Sequence, residues 1–439
     1  MGNQTRMDIL IKDCQIVTMD EEHTVIDRGD IGIKGEDIHF IGPAGEKPEM
    51  REAERIIDGR GKVAVPGLIN AHGHLAMTLF RGFVEDLKLQ KWLERVWEYE
   101  LTVLNEESVR IGSKIAMAEM IQGGVTTAHD MYWHYRATMD LAESIGFRLI
   151  TGSPITEVGG DSLEELISEA RDTLDLIEDY RTVHPVLQAH SIYTTSPEIM
   201  NAVRELKEEY GVTFTTHASE NDKEVEEVQQ KFGVSPIRQL EKFQLLDERS
   251  VLAHCVQVTE EDLEILQNHG VHVAHCPESN LKLGSGIAPV AAMTELGINV
   301  CLGTDGAASN NDLDMISEMR LIPLLQKGVN QDPRLIPTAK VLEMATTAGA
   351  RAYGLEDQIG SLEEGKKADL VLLDFDRIHL KPCHDVYANL VYSANKFDVD
   401  TVLIAGRVQL EGGKLTTIDR EELLEEAAAV SGMFDAREE

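Results

Sequence analysis

Val65-Pro66-Gly67-Leu68-Ile69-Asn70-Ala71-His72-Gly73-His74 is a run of apolar and β-branched residues that stops on two histidines. Further runs of the same build follow along the chain: Val125–Asp130, Pro185–His190, Val212–His217, Ser250–His254, Val271–His275 and Asn299–Asp305. Each is short and apolar enough for a strand buried on both faces, as in a parallel sheet, and each ends in His or Asp. One more run, Phe147–Thr151, lacks the polar ending. Amphipathic stretches lie between them, among them Glu106–Gln122, Leu163–Asp179, Pro197–Tyr210, Glu260–Asn268 and Val290–Leu296, most of them long enough for a crossover helix. The alternation predicts an α/β fold, a (βα)8 TIM-like barrel. In such a barrel the C-terminal strand ends converge on one mouth, so the polar endings would face a single pocket.

The flanks read differently. Asp8–Lys12, Gln15–Met19, Asp30–Lys34, Asp37–Ile41 and Arg55–Asp58 alternate as strands between Gly and Asp turns. The same texture returns in Asp369–Asp374, Val399–Ala405 and Arg407–Leu410. The two chain ends, 1–65 and 362–418, are therefore expected to form a small composite β-sandwich beside a catalytic barrel at 66–361. Residues 419–439 read as a polar helix with a frayed end. No internal repeat or low-complexity linker interrupts this order.

The chain has 439 residues, 42% of them hydrophobic, which is enough for a full barrel and a smaller unit. It holds no run of eighteen apolar residues, and Met1–Asp8 lacks the basic flank and apolar stretch of a signal peptide. Cys14, Cys255, Cys276, Cys301 and Cys383 are odd in number and most sit in apolar runs, which suits a reducing compartment. A cytoplasmic enzyme without disulfides and without a membrane partner is expected. With 41 basic against 77 acidic residues the formal charge is −36, which repels nucleic-acid phosphates as well as anionic membranes. The partner expected is a small molecule.

His72 and His74 stand two apart in an extended run, so both imidazoles can face one ion, and neutral imidazole is a common zinc ligand. His217, closing Val212–His217, would be a third ligand and Asp305, in Leu302-Gly303-Thr304-Asp305-Gly306, a fourth. His254 is a candidate to hold a metal-bound water through a hydrogen bond.

Taken together the chain resembles the amidohydrolase superfamily, in particular the deaminase branch with the S-adenosylhomocysteine/methylthioadenosine deaminases and the chlorotriazine hydrolases. The resemblance spans about residues 7 to 420. It rests on Pro66–His74, Ala76–Gly82, Gly124-Val125-Thr126-Thr127, His217-Ala218-Ser219-Glu220, Leu252-Ala253-His254-Cys255, His275–Gly286 and Gly303–Asn310. It implies one divalent ion per chain, zinc or iron, on His72, His74, His217 and Asp305. Dinuclear members carry a lysine at the end of the fourth strand, where this chain reads Leu187-Gln188-Ala189-His190.

The implied chemistry is hydrolytic deamination of an aminated N-heterocycle. The ion activates water, Asp305 takes its proton, His254 orients it, and Glu220, three residues beyond His217, protonates the ring nitrogen. Glu100 and His190 match positions that contact ribose in adenosine-type deaminases, and Ser309 matches a position that hydrogen-bonds within the site and contacts substrate. An adenosine-type nucleoside is the substrate this implies: methylthioadenosine, 5′-deoxyadenosine or S-adenosylhomocysteine. Thr151–Val158 lacks the arginine that homocysteine-accepting relatives use, which argues against the last of these. His129, Tyr132, Trp133 and His134 are expected on the pocket wall. Leu75–Leu104, with Trp92 and Trp97, is expected to act as a lid or subunit contact, and many relatives are homo-oligomers. The alternatives are an amidohydrolase acting on guanine, a pterin or a triazine, and a non-catalytic scaffold, which the intact ligand set and Glu220 oppose. A base-editing-type zinc deaminase is rejected because its Pro-Cys-x-x-Cys signature is absent.

Overall fold

The computed structural model describes residues 6–46 and 52–435. Parts of the expected first flank (1–5 and 47–51) and of the C-terminal tail (436–439) lie outside the described residues.

Numbered in chain order, the strands are β1 (Met7–Val17), β2 (Val25–Lys34), β3 (Asp37–Pro43), β4 (Ala53–Asp58), β5 (Lys62–Pro66), β6 (Leu68–Asn70), β7 (Val125–Asp130), β8 (Arg148–Thr151) and β9 (Pro154–Ile155). They continue with β10 (Val183–Ala189), β11 (Thr213–Ala218), β12 (Ser250–His254), β13 (His272–His275), β14 (Asn299–Leu302), β15 (Leu370–Asp374), β16 (Val399–Ile404), β17 (Arg407–Glu411) and β18 (Lys414–Leu415).

Eight parallel strands pair in sequence order, β6-β7-β8-β10-β11-β12-β13-β14, with β9 as a side pairing to β10. Between β14 and β6, Ala71 donates its N–H to Leu302 O (2.7 Å) and Asp305 its N–H to His72 O (3.0 Å), which brings the last strand to the first. A side chain at Gly303 would put its Cβ 2.7 Å from His72 O, so this closure requires glycine. Ile69, Ile150, Val186, Val251, Ala274 and Cys301 fill the interior as one packed cluster. The helices expected at Glu106–Gln122 and Pro197–Tyr210 have those bounds, and the second starts on Ser196 with Pro at its first turn.

The run Val65–His74 is not one strand. Up to Gly67 it belongs to the small sheet, where Gly67 donates to Asp369 O (3.0 Å); from Leu68, which donates to Gly124 O (3.0 Å), it belongs to the barrel. A Cβ on Gly67 would collide with the Thr126 side chain at 2.1 Å, so the chain passes between the two units at a residue that has none.

The small unit is a single mixed sheet of nine strands, ordered β18-β17-β16-β15-β5-β1-β2-β3, with β4 on β1. One edge of β1 is shared: its first half pairs with β4 (Met7 opposite Ala53) and its second with β5 (Gln15 opposite Val63). The division falls at an irregularity near Asp13, which is left-handed at φ 62°. Strands far apart in this sheet share one apolar cluster, with Ile11, Ile33 and Ile57 from the first flank against Leu370, Leu372 and Leu403 from the second. Both chain ends thus build one core. The C-terminal helix Arg420–Asp435 packs on Glu106–Gln122, where Lys114 meets Glu426 at 2.8 Å.

Candidate active site

At the mouth of the barrel the imidazoles of His72, His74 and His217 and the carboxylate of Asp305 converge. His74 Nε2 stands 3.2 Å from Asp305 Oδ1 and 3.3 Å from His217 Nε2, and His72 Nε2 is 3.7 Å from the same carboxylate oxygen. Four ligands about 2.0–2.1 Å from a tetrahedral ion put neighbouring donor atoms about 3.3 Å apart, so the spacing fits one zinc-sized ion. The second ring nitrogens are used to fix two of the rings: His74 Nδ1 donates to Met131 O and His217 Nδ1 to His190 O, each at 2.6 Å. His72 is fully buried and neither of its ring nitrogens has a partner in the protein. A buried imidazole with both nitrogens unanswered is costly unless something binds there, and the ion this donor set suits would answer one of them.

Burial and then the neighbouring histidines hold His72 and His217 well below the ordinary imidazole range, so both are neutral, as ligation demands. For Asp305 burial alone would raise the carboxyl, but the hydrogen bond and charge of His74, backed by His254 and His72, reverse this and keep it ionised. Its other oxygen, Oδ2, accepts from Ser279 (2.6 Å) and Ser309 (2.9 Å). His254 also reaches the cluster: its ligand nitrogen, that of His72 and a carboxylate oxygen of Asp305 all lie within 4.8 Å of one another. Its Nδ1 lies 2.9 Å from Asn280 Oδ1, which makes Nδ1 the donor and leaves Nε2 as an acceptor toward the centre. Backbone strain gathers here: Ser219, His254, Cys255 and Asp305 are all left-handed, with φ of 52°, 75°, 46° and 62°.

Glu220 follows β11 into the same pocket. Burial, then the Asp305 charge, pushes its carboxyl up to about 8, so it carries a proton at neutral pH. Across the cavity the helix Leu89–Val103 lays Leu89, Trp92, Leu93, Trp97 and Glu100 over the opening. The long connection after β6 is therefore a cover for the mouth. Glu100 is buried and accepts from Tyr132 Oη (2.6 Å) and Trp133 Nε1 (3.1 Å), which aims its carboxylate at the cavity. His190 bonds Thr194 through Nδ1 (2.9 Å) and lines the cavity; burial and then the His74 charge bring it down to about 3, so the ring is neutral.

Of the expected wall residues, Tyr132 and Trp133 line the pocket. His129 does not: it is buried inside the barrel, stacked between His72 and Tyr353 and bonded to Gln188 (3.0 Å). His134 is exposed in the left-handed turn that starts the next helix, so it does not line the wall either. Ser309 donates to Asp305 Oδ2 and stands behind the residues that line the cavity. The sequence reading missed Ser279 and Asn280, although both stand in the His275–Gly286 motif; it missed Glu224, whose place three residues after Asn221 signals only a helix start, and Tyr193, which carries no local signal.

The amidohydrolase family model matches residues 63–409. A 5-methylthioadenosine/S-adenosylhomocysteine deaminase from Moorella thermoacetica is 45% identical over 419 residues, 94% of this chain and 97% of that one. One from Desulforudis audaxviator is 42% identical, over 91% and 93% of the two chains. Among solved structures, an adenosine deaminase from Xanthomonas campestris with bound zinc superposes with a TM-score of 0.95 at 32% identity, covering 98% of this chain and 99% of that one. An atrazine chlorohydrolase from Arthrobacter aurescens complexed with zinc has a TM-score of 0.89 at 26% identity, over 96% and 100%. Coverage from end to end, the barrel with its two-ended sheet, and the histidine cluster at the mouth agree: the chain belongs to the amidohydrolase family.

Proposed function

We propose that this chain is a hydrolytic deaminase of adenosine-type nucleosides, releasing ammonia and leaving the inosine-type product. The observation that carries the reading is the opposition, in one cavity, of a metal-ligand cluster with a protonated Glu220 and a wall bearing Glu100 and His190. One divalent ion, zinc before iron, would be held by His72, His74, His217 and Asp305 and would supply a Lewis acid that activates water. Glu220 donates its proton to the ring nitrogen beside the amino-bearing carbon, so that negative charge does not build up on the ring. Asp305, ionised and held by two serine hydroxyls, accepts the proton that water gives up and passes it to the amino group, which leaves as ammonia. His254, with its Nε2 lone pair turned inward, orients that water. Glu100 accepts from ribose hydroxyls with the lone pairs that Tyr132 and Trp133 leave free, and His190 presents Nε2 beside it.

No lysine or arginine is found among the residues that line the cavity, whereas Leu89, Trp92, Leu93, Trp97 and Leu283 give it an apolar wall. That composition favours a small uncharged 5′ group, as in methylthioadenosine or 5′-deoxyadenosine, over the zwitterion of S-adenosylhomocysteine, whose carboxylate would find no cation. The barrel, from Leu68 onward, carries the chemistry; the sheet built from both flanks meets its base, where Arg148 pairs with Asp369, and the helix Arg420–Asp435 packs on its outer layer. The five cysteines are free and all but Cys383 are buried, which supports a cytoplasmic setting. Among the described residues no helix is long and apolar enough to cross a membrane. A homo-oligomer is the assembly that the family resemblance implies.

The test is a panel on zinc-loaded protein: adenosine, 5′-deoxyadenosine, methylthioadenosine, S-adenosylhomocysteine, guanine, a pterin and a chlorotriazine, read by ammonia release and ultraviolet shift. Turnover of the uncharged 5′-modified adenosines is expected. Silence on every adenosine with turnover of another ring would sink the ribose assignment and leave the metal chemistry standing.

A further inference from the structure

The loop that presents Glu220 is held by a second, buried carboxylate. The helix Asp222–Phe232 opens on Asn221, whose Oδ1 accepts the N–H groups of Lys223 and Glu224, each at 3.0 Å. A glutamate at the third helical position, as Glu224 is, ordinarily reaches back to the N–H of the capping residue. Here it reaches further. Oε1 accepts from the Ser219 N–H (2.9 Å) and Oε2 from the Glu220 N–H (2.7 Å), so both oxygens grip the strained turn between β11 and the helix. Glu224 is only 2% exposed. Among the described residues nothing hydrogen-bonds the Glu220 carboxyl itself, so its place in the cavity depends on the backbone that Glu224 clamps.

We propose that Glu224 is a positioning residue for the acid Glu220, its two-oxygen grip on the Ser219 and Glu220 N–H groups setting where the Glu220 carboxyl meets the ring. This rests on Glu220 serving as the acid. The clamp has two consequences. It points the acid, because Glu224 is the side chain that bonds the Ser219 and Glu220 N–H groups, while the Asn221 cap holds only the start of the helix beyond them. It also places a second acidic group beside the first: burial raises Glu224 to about 7, against the pull of the two N–H donors, so that it is in part charged at neutral pH. The two carboxyls are coupled, so that loss of a proton from one opposes loss from the other.

Glu224→Gln keeps the size of the side chain but can accept only one of the two N–H groups and turns an amide N–H₂ toward the other. In zinc-loaded enzyme kcat should fall roughly 10- to 100-fold, with KM, metal content and thermal midpoint close to wild type. The alkaline limb of kcat/KM should also move to lower pH, a shift that a merely structural role would not produce. Combined with Glu220→Gln, the second change should add no further loss, because it acts through a group already removed. Wild-type kcat in Glu224→Gln, or a full multiplicative loss in the Glu220→Gln background, would overturn the proposal. Should Glu224→Gln fail to fold, Glu224→Asp decides instead: it retains one grip and the charge, so an intermediate kcat is expected and an unaltered one counts against the clamp. Wild-type activity in Glu220→Gln alone would overturn the deaminase reading, a separate failure.

Discussion

The two ends of the barrel bury the same kinds of residue and treat them in opposite ways. At the base Arg148, Asp369, Lys207 and His272 are all answered. Arg148 grips Asp369 with two bonds of 2.8 and 3.0 Å, and Asp369 also accepts the Ala405 N–H at 2.7 Å. Lys207 spends all three ammonium donors, on Leu245 O, Asp247 and Ser250, within 2.9 Å. His272 uses both ring nitrogens, against Glu248 O and Asn299. At the mouth His72 leaves both nitrogens unanswered, Glu220 is held only through its backbone, and four non-glycine residues are bent into left-handed conformations. Buried histidine and carboxylate do not by themselves mark a site. Unanswered valence together with strain does, because a fold keeps such costs only where something else is gained.

The largest effect expected from breaking this contrast is at Glu220. Glu220→Gln should cut kcat by about 10²- to 10⁴-fold, with one metal per chain retained and no loss of thermal midpoint, since the side chain supports no packing bond. Activity near wild type would refute the acid. The matching change at the base should do the reverse. Asp369→Ala strands Arg148 in a buried position, which costs about 3–5 kcal/mol of stability, while kcat per folded, metal-loaded molecule stays within about twofold because the site lies at the far end of the strands. A loss of kcat larger than the loss of folded protein would mean that the ends are coupled.

The contrast also explains what could be read in advance. Val125–Asp130 and Ser250–His254 have their expected bounds because burial on both faces leaves an unbroken apolar run, and the mouth residues were visible because they end such runs. The base could not be read: Arg148 and Asp369 are 221 residues apart, and nothing local in either sequence calls for the other. Periodicity misplaced the start of the barrel because Val63–Ile69 is apolar throughout, and only the steric fit of Gly67 against Thr126 shows where one sheet gives way to the next. His129 shares the strand-end pattern of the ligands yet turns inward, a distinction of side-chain facing that a run ending in His-Asp does not encode.

Smaller effects are expected on the wall opposite the metal cluster, which contributes binding rather than chemistry. Glu100→Gln exchanges an anion that accepts two donors for an amide that can accept only one of them without clash. KM for ribonucleosides should rise roughly 10- to 100-fold, the range for a hydrogen bond to a charged group, with kcat little changed. A 2′,3′-dideoxy substrate should lose much less on the same substitution, and an equal loss on both would show that Glu100 shapes the cavity instead of holding ribose.

The mildest way to sharpen the comparison is pH, because the two ends titrate in opposite directions. Glu220 is raised, to about 8, so the folded chain holds that proton more tightly than the unfolded chain does. Its contribution to stability is fully present below the ordinary carboxyl range and is lost as pH rises through about 8. Asp247 at the base is the reverse: burial opposes ionisation, but the Lys207 hydrogen bond and its neighbours outweigh it and lower the carboxyl, so its contribution is present at neutral pH and lost on acidification. Activity follows the mouth. If the protonated Glu220 is the working form, kcat/KM at pH 8 should be about half its value at pH 7, should drop about fivefold more by pH 9 and approach a tenfold fall per unit after that, the slope of a single proton. Thermal midpoints taken over the same range should decline less in Glu220→Gln than in wild type, because the variant has no carboxyl left to titrate. A rate that stays level to pH 9, or parallel midpoint curves for the two proteins, would remove the proton from Glu220 and with it the distinction drawn between the ends of the barrel.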